Sequence, residues 1–170
     1  MNYFSFKPIQ TTSVIISFIV LSASFYMQFV NGFQPCPLCI MQRLCVFLVL
    51  LFSVLSFGLS GGLKKKNMVI AQLFFACAGL FFASRHLWIQ SLPASDVHAC
   101  VPGLDILFRY FPWQDLAHAL FWGSGDCTQI SWRFIGLSMP AWSALYFLFI
   151  CISTSTLLFV IKPDFSASNP

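Results

Sequence analysis

The sequence predicts an all-α membrane protein, a bundle of four transmembrane helices. Three observations carry that prediction. Apolar residues fill 58% of the 170 positions and charged residues only 8%, against about 25% charged in a soluble domain. The chain holds 21 Phe and not one Glu, and its mean hydropathy is +0.81. Four apolar runs, each close to the ~20 residues that cross a bilayer as a helix, are separated by segments that hold nearly all the charge.

The first run covers about residues 11–30, after a short tail carrying Lys7. Lys7, the run and Ser22-Ala23-Ser24 loosely imitate a signal peptide, but the apolar stretch continues past the small residues without a helix breaker, so a span is expected. Residues 31–39 form a tight loop with Gly32, Pro35 and Pro37. The second span runs from 40 to 60 and gives way to a basic turn over 61–67 with Lys64, Lys65 and Lys66. The third, 68–90, ends in Arg85, His86, Trp88 and Gln90. Residues 91–140 form the long polar loop, rich in aromatic side chains, which concentrate at the membrane–water boundary. Within it, 114–121 reads as a short amphipathic helix lying in the interface. Pro140 suits the first turn of a fourth span, 141–161, which Lys162-Pro163 closes. Neither internal repeats nor low-complexity stretches break the chain, so residues 1–170 are expected to form one integral membrane domain.

A net charge of +4, thinly scattered, excludes nucleic acid as a partner. The position of the charge says more than its total. All the lysines lie in the tail, the 61–67 turn or after the last span, whereas Arg43, Arg85, Arg109 and Arg133 belong to helix ends or to a loop shared with four Asp. Short loops obey the positive-inside rule most strictly. Both termini and the lysines are therefore expected in the cytoplasm, with the two loops outside.

Seven cysteines cannot all pair internally. Cys45, Cys77 and Cys151 sit within apolar runs, where a thiol behaves as a small hydrophobe. Cys36, Cys39, Cys100 and Cys127 fall in the outer segments, on the side where disulfides persist. Pro37 fits the first position of a helix, so Cys39 falls in its first turn, where the backbone dipoles favour an anion. Arg43 projects from the same face one turn on. A Cys-x-x-Cys in that setting is a candidate redox dithiol, and its position at the hydrocarbon edge points to a lipid-dissolved electron acceptor such as a quinone. Arg43 and His86, at the tops of the second and third spans, are placed to flank such a ring. The alternatives are a static disulfide, half of a zinc site and a lipidated cysteine. A Cys100–Cys127 bridge would close a loop of about 28 residues and contribute about 3.5 kcal/mol as a structural staple. Zinc would need all four thiols, and Cys100 and Cys127 lack the close second spacing of structural sites. No metal is expected, and haem attachment fails because Ile40 stands where His is required.

Read together and in order, Cys36-Pro37-Leu38-Cys39-Ile40-Met41-Gln42-Arg43, Arg85-His86-Leu87-Trp88, Cys100, Gly123-Ser124-Gly125-Asp126-Cys127 and Gly136-Leu137-Ser138-Met139-Pro140-Ala141-Trp142 resemble the disulfide bond formation protein B (DsbB) family. The resemblance covers all four spans and both outer loops. It implies a thiol:quinone oxidoreductase of the bacterial inner membrane, using ubiquinone or menaquinone, with its cysteines in the periplasm. A reduced DsbA-type thioredoxin-fold partner would attack Cys100, Cys127 would exchange with Cys36, and electrons would reach Cys39 beside the quinone. Arg43, His86, Met139 and Trp142 would lie on the quinone side. Some members carry an acid where Gln42 stands, so Gln42 is assigned no catalytic role.

Two other readings compete. Vitamin K epoxide reductase-like enzymes share a helix bundle, a Cys-x-x-Cys and an accessory pair, but there the accessory pair comes first in the chain. A non-catalytic membrane protein with a disulfide-stapled, partner-binding loop is the rival of a different class.

Overall fold

Helices account for nearly all of the described chain. The structure is a computed structural model that describes residues 3–32, 35–59, 62–92, 114, 120–121 and 133–160. The elements are α1 (Tyr3–Phe29), α2 (Pro37–Gly58), α3 (Gly62–Ser91), β1 (Arg133–Phe134), β2 (Leu137–Ser138) and α4 (Met139–Val160). Each long helix holds a stretch apolar enough to cross a membrane, namely Phe6–Phe29, Pro37–Gly58, Leu63–Ser91 and Met139–Phe159.

The helices outrun the apolar segments from which they were inferred. α1 begins at Tyr3 and takes Pro8 into its second turn, so the expected N-terminal tail is largely helical. Lys64, Lys65 and Lys66 lie in the first turns of α3 instead of in a free turn. Lysine is a good helix former, and a helix has no reason to stop where hydrocarbon ends. Hydropathy marks the lipid boundary, not the end of the backbone ladder.

α3 is the central helix. It packs along both α2 and α4, while α1 lies against α2 and touches α4 only sparsely. Leu38, Val46 and Val49 of α2, Ala76, Phe82 and Ala83 of α3, and Phe147 and Ile150 of α4 form the main core. A smaller cluster of Phe6, Val69 and Leu157 gathers the opposite end, which carries the lysines. The outer surface is apolar too: Phe18, Phe74 and Phe159 are all largely exposed, as side chains that face lipid should be. In lipid a hydroxyl needs a partner within the protein, and Thr12, Ser13, Ser84 and Ser153 each donate to a carbonyl one turn back.

One polar layer crosses the bundle near the lysine end. Gln10 donates to Gln72 Oε1 at 2.7 Å and to the Ser53 carbonyl at 3.5 Å, and Gln72 donates to Thr154 Oγ1 at 3.2 Å. All four helices contribute to it. Nearer the other end, the hydroxyls of Ser17 and Tyr146 meet at 2.7 Å and tie α1 to α4.

Just before α4, within the stretch expected as loop, the chain makes a minimal hairpin. Phe134 pairs with Leu137 and Arg133 with Ser138. Ile135 and Gly136 turn the corner at φ 52 and 79, the two left-handed residues of a type I′ turn. The signal was weak because a β-branched residue rarely adopts that conformation. Gln114, Leu120 and Phe121 are helical, and the Phe121 ring lies 5.8 Å from that of Phe82 on α3. The rest of the expected interfacial helix lies outside the described residues.

Candidate active site

The two prolines flanking Cys36 decide the local geometry. Pro37 supplies the fixed φ of a first helical residue, and Cys36 before it becomes the N-cap of α2, extended at φ −70 and ψ 163. Its sulfur accepts the Cys39 backbone N–H at 3.4 Å. The first turn then brings the two side chains together, with Cys36 Sγ 2.8 Å from Cys39 Sγ.

His86, in the penultimate turn of α3, is buried at 3% exposure. Its Nε2 lies 3.9 Å from Cys36 Sγ and its Nδ1 3.9 Å from Cys39 Sγ, so the ring stands alongside the pair. Gln42, one turn below the thiols and also buried, has its amide nitrogen 3.3 Å from His86 Nδ1 and 3.5 Å from the Phe82 carbonyl.

The ligand atoms of Cys36, Cys39 and His86 all lie within 4.8 Å of one another, which raises the question of a metal. Two thiolates on one tetrahedral zinc, at about 2.3 Å each, would stand about 3.7 Å apart. The two sulfurs stand closer than that, at 2.8 Å.

On its other side Cys39 opens on a cavity of about 540 Å³, a size suited to a small organic ligand. Its walls come from α1, α2, α4 and β1, and they include Cys39, Arg43, Met139 and Trp142. The lining is mostly aliphatic and aromatic, with polar side chains from Ser24, Gln42, Arg43, Ser143 and Tyr146. Arg43 donates from Nε to Ser24 Oγ at 2.9 Å, from Nη2 to the Ser24 carbonyl at 3.2 Å, and from Nη1 to Gln28. Its guanidinium also stacks on Phe25, 4.8 Å from the ring centroid. The Trp142 indole N–H donates to the Phe134 carbonyl at 3.2 Å, which holds the hairpin over the entry to α4.

Of the residues singled out by sequence, Cys36, Cys39 and His86 meet at one point, while Cys39, Arg43, Met139 and Trp142 share the cavity. His86 itself is not part of the cavity wall. It belongs to α3, which contributes none of the lining. Cys100 and Cys127 lie outside the described residues. The sequence reading missed Ser24 and Gln28, whose spacing of one helical turn is the only signal that they share a face. It also missed that Cys77 and Cys151, taken as separate small hydrophobes, approach to 3.7 Å between α3 and α4.

The chain is similar to known proteins over most of its length. The family profile described as disulfide bond formation protein DsbB matches residues 7–157. Proteins named disulfide bond formation protein B are similar along most of their length. That of Marinobacter nauticus is 43% identical over 130 residues, covering 75% of this chain and 77% of the relative. That of Methylococcus capsulatus is 38% identical over 148 residues, covering 83% and 89%. That of Acinetobacter baumannii is 32% identical over 168 residues, covering 97% and 98%.

Proposed function

Because the chain belongs to the DsbB family, matched from residue 7 to residue 157, we propose that it reoxidises a DsbA-type thioredoxin-fold thiol oxidase and delivers the electrons to a membrane quinone. One observation carries the quinone half of this reading. Cys39 of the dithiol lines a largely apolar cavity that Arg43 lines as well.

In the proposed sequence the partner's thiolate attacks Cys100, and the Cys100–Cys127 bond breaks with its electron pair left on Cys127. Cys127 then attacks Cys36, and the Cys36–Cys39 bond breaks with its pair left on Cys39. The partner's second thiolate displaces Cys100 and leaves as the oxidised partner, and Cys100 attacks Cys127, which restores the Cys100–Cys127 bond and leaves the electron pair on Cys36. Such exchange moves bonds among sulfurs without net oxidation. A quinone supplies the final sink, accepting two electrons and two protons as the Cys36–Cys39 bond is restored.

The cavity residues fit that group. Arg43 is held rigidly by α1, and each terminal nitrogen keeps a further N–H for an acceptor oxygen. Trp142 has committed its N–H to Phe134 and so offers a ring face. Met139 adds an adaptable apolar wall. Ubiquinone and menaquinone both meet these requirements.

The proposed setting is the bacterial inner membrane, with residues 1–170 acting as one integral domain. Both termini and Lys64, Lys65 and Lys66 would face the cytoplasm, and the four site cysteines the periplasm. The clustering of Phe6, Val69 and Leu157 supports a common side for the lysine-bearing ends.

The test is turnover by the purified protein with a reduced DsbA-type partner and a soluble short-chain quinone. One partner disulfide should form per quinone reduced, and Cys36→Ser or Cys39→Ser should abolish it. Absence of quinone-dependent thiol oxidation would leave a stapled, non-catalytic loop protein as the better reading.

A further inference from the structure

Gln42 was given no role by the sequence, yet its amide bonds His86 at Nδ1 in a direction that the surroundings fix. The direction follows from its second partner. The Phe82 carbonyl can only accept a hydrogen bond, so the Gln42 atom 3.5 Å from it is the NH2 nitrogen. That same nitrogen lies 3.3 Å from His86 Nδ1. An NH2 group has no lone pair to offer, so Nδ1 must accept. A neutral imidazole whose Nδ1 accepts carries its proton on Nε2, and Nε2 is the atom that faces Cys36 Sγ at 3.9 Å.

We infer that Gln42 is a positioning residue that fixes His86 as the Nε2–H tautomer, so that the imidazole serves the dithiol as a hydrogen-bond donor to Cys36 and not as a base. The two sulfurs thereby become unequal. Cys36 receives an N–H that stabilises negative charge on sulfur. Cys39 lies as close to the ring, at 3.9 Å from Nδ1, but the lone pair there is already engaged by the amide. The geometry is protected from water: Gln42 and His86 are buried to 5% and 3% exposure, where a hydrogen bond holds its partner's tautomer most firmly.

The consequence for chemistry rests on the proposed thiol exchange. When Cys100 attacks Cys127 and the Cys127–Cys36 bond breaks in that exchange, the electron pair stays on the Cys36 sulfur, and no proton need move. A fixed donor stabilises that leaving thiolate as it forms.

The tautomer can be read directly, without turnover. In histidine-labelled protein held in lipid nanodiscs, long-range proton–nitrogen correlation spectra distinguish Nε2–H from Nδ1–H imidazoles. His86→Gln supplies the assignment by loss of its signals. Wild-type His86 is expected as Nε2–H alone. Gln42→Glu should move the proton to Nδ1, because a carboxylate accepts where the amide donated. Wild-type His86 as Nδ1–H, or one unchanged tautomer in both proteins, overturns the inference. Failure of quinone-dependent turnover would sink the proposed activity instead, and leave these spectra to decide the tautomer independently. If Gln42→Glu does not fold, Gln42→Leu replaces it, and an Nε2–H population unchanged from wild type overturns the inference.

Discussion

Arg43 reaches two places at once, and single substitutions there should separate into two effects. Its guanidinium fork ties α2 to Ser24 and Gln28 of α1 while lining the cavity beside Cys39. Arg43→Ala should raise the quinone KM about tenfold, the loss of one charge-assisted hydrogen bond, with partner-to-Cys100 exchange unchanged. Steady-state kinetics at varied quinone, set against single-turnover exchange with the partner, checks this; equal loss of both steps would mean that the bundle itself was damaged. Arg43→Lys should recover only part of the affinity, because a point charge cannot replace the fork. That Arg43 lies one turn below Cys39 was legible in the chain. Its acceptors were not, because the polar stripe of α1 (Gln10, Ser13, Ser17, Ser24 and Gln28) marks the face that packs but not the helix it packs against. The same blindness hid the approach of Cys77 to Cys151.

At the scale of elements, α3 and α4 are held at a distance set by a missing side chain. A Cβ on Gly79 would come within 2.2 Å of the Phe147 ring, which is fully buried. Gly79→Ala should therefore cost about 1–3 kcal/mol by overpacking, read as a lower unfolding midpoint in mixed micelles, and Phe147→Leu in the same chain should restore part of the loss. The hairpin offers the opposite sign. Ile135 holds φ 52 with a β-branched side chain, a conformation that costs about 1 kcal/mol or more. Ile135→Asn places the preferred Asn-Gly pair in the turn, so amide exchange across residues 133–138 should slow about fivefold, the factor that corresponds to about 1 kcal/mol. The four spans were readable because twenty apolar residues in a row have one stable fate in lipid. The hairpin was not, since two-residue strands have no periodicity to detect, and the helix ends beyond the hydrocarbon left no hydropathy signal.

Among the described residues, the bundle is fastened across all four helices at one end and holds the cavity at the other. Gln10, Gln72, Thr154 and the Ser53 carbonyl join all four helices near the lysines. Gln72→Leu should cost about 1–2 kcal/mol, since interhelical bonds in membranes are worth somewhat under 2 kcal/mol each. Adding Gln10→Leu should cost less than the sum of the two single losses, because the bond between them is already gone. Both values come from unfolding titrations in the same micelles. At the dithiol end α1 and α4 both line the cavity, and the lining residues Leu145 and Phe149 are 50% and 44% exposed on the bundle surface. An opening on that surface faces acyl chains, not water. The acceptor that the site meets is therefore counted per lipid and not per litre. Diluting the membrane with inert lipid or detergent at fixed protein and quinone should slow turnover as surface dilution does, while diluting the aqueous phase alone should leave it unchanged.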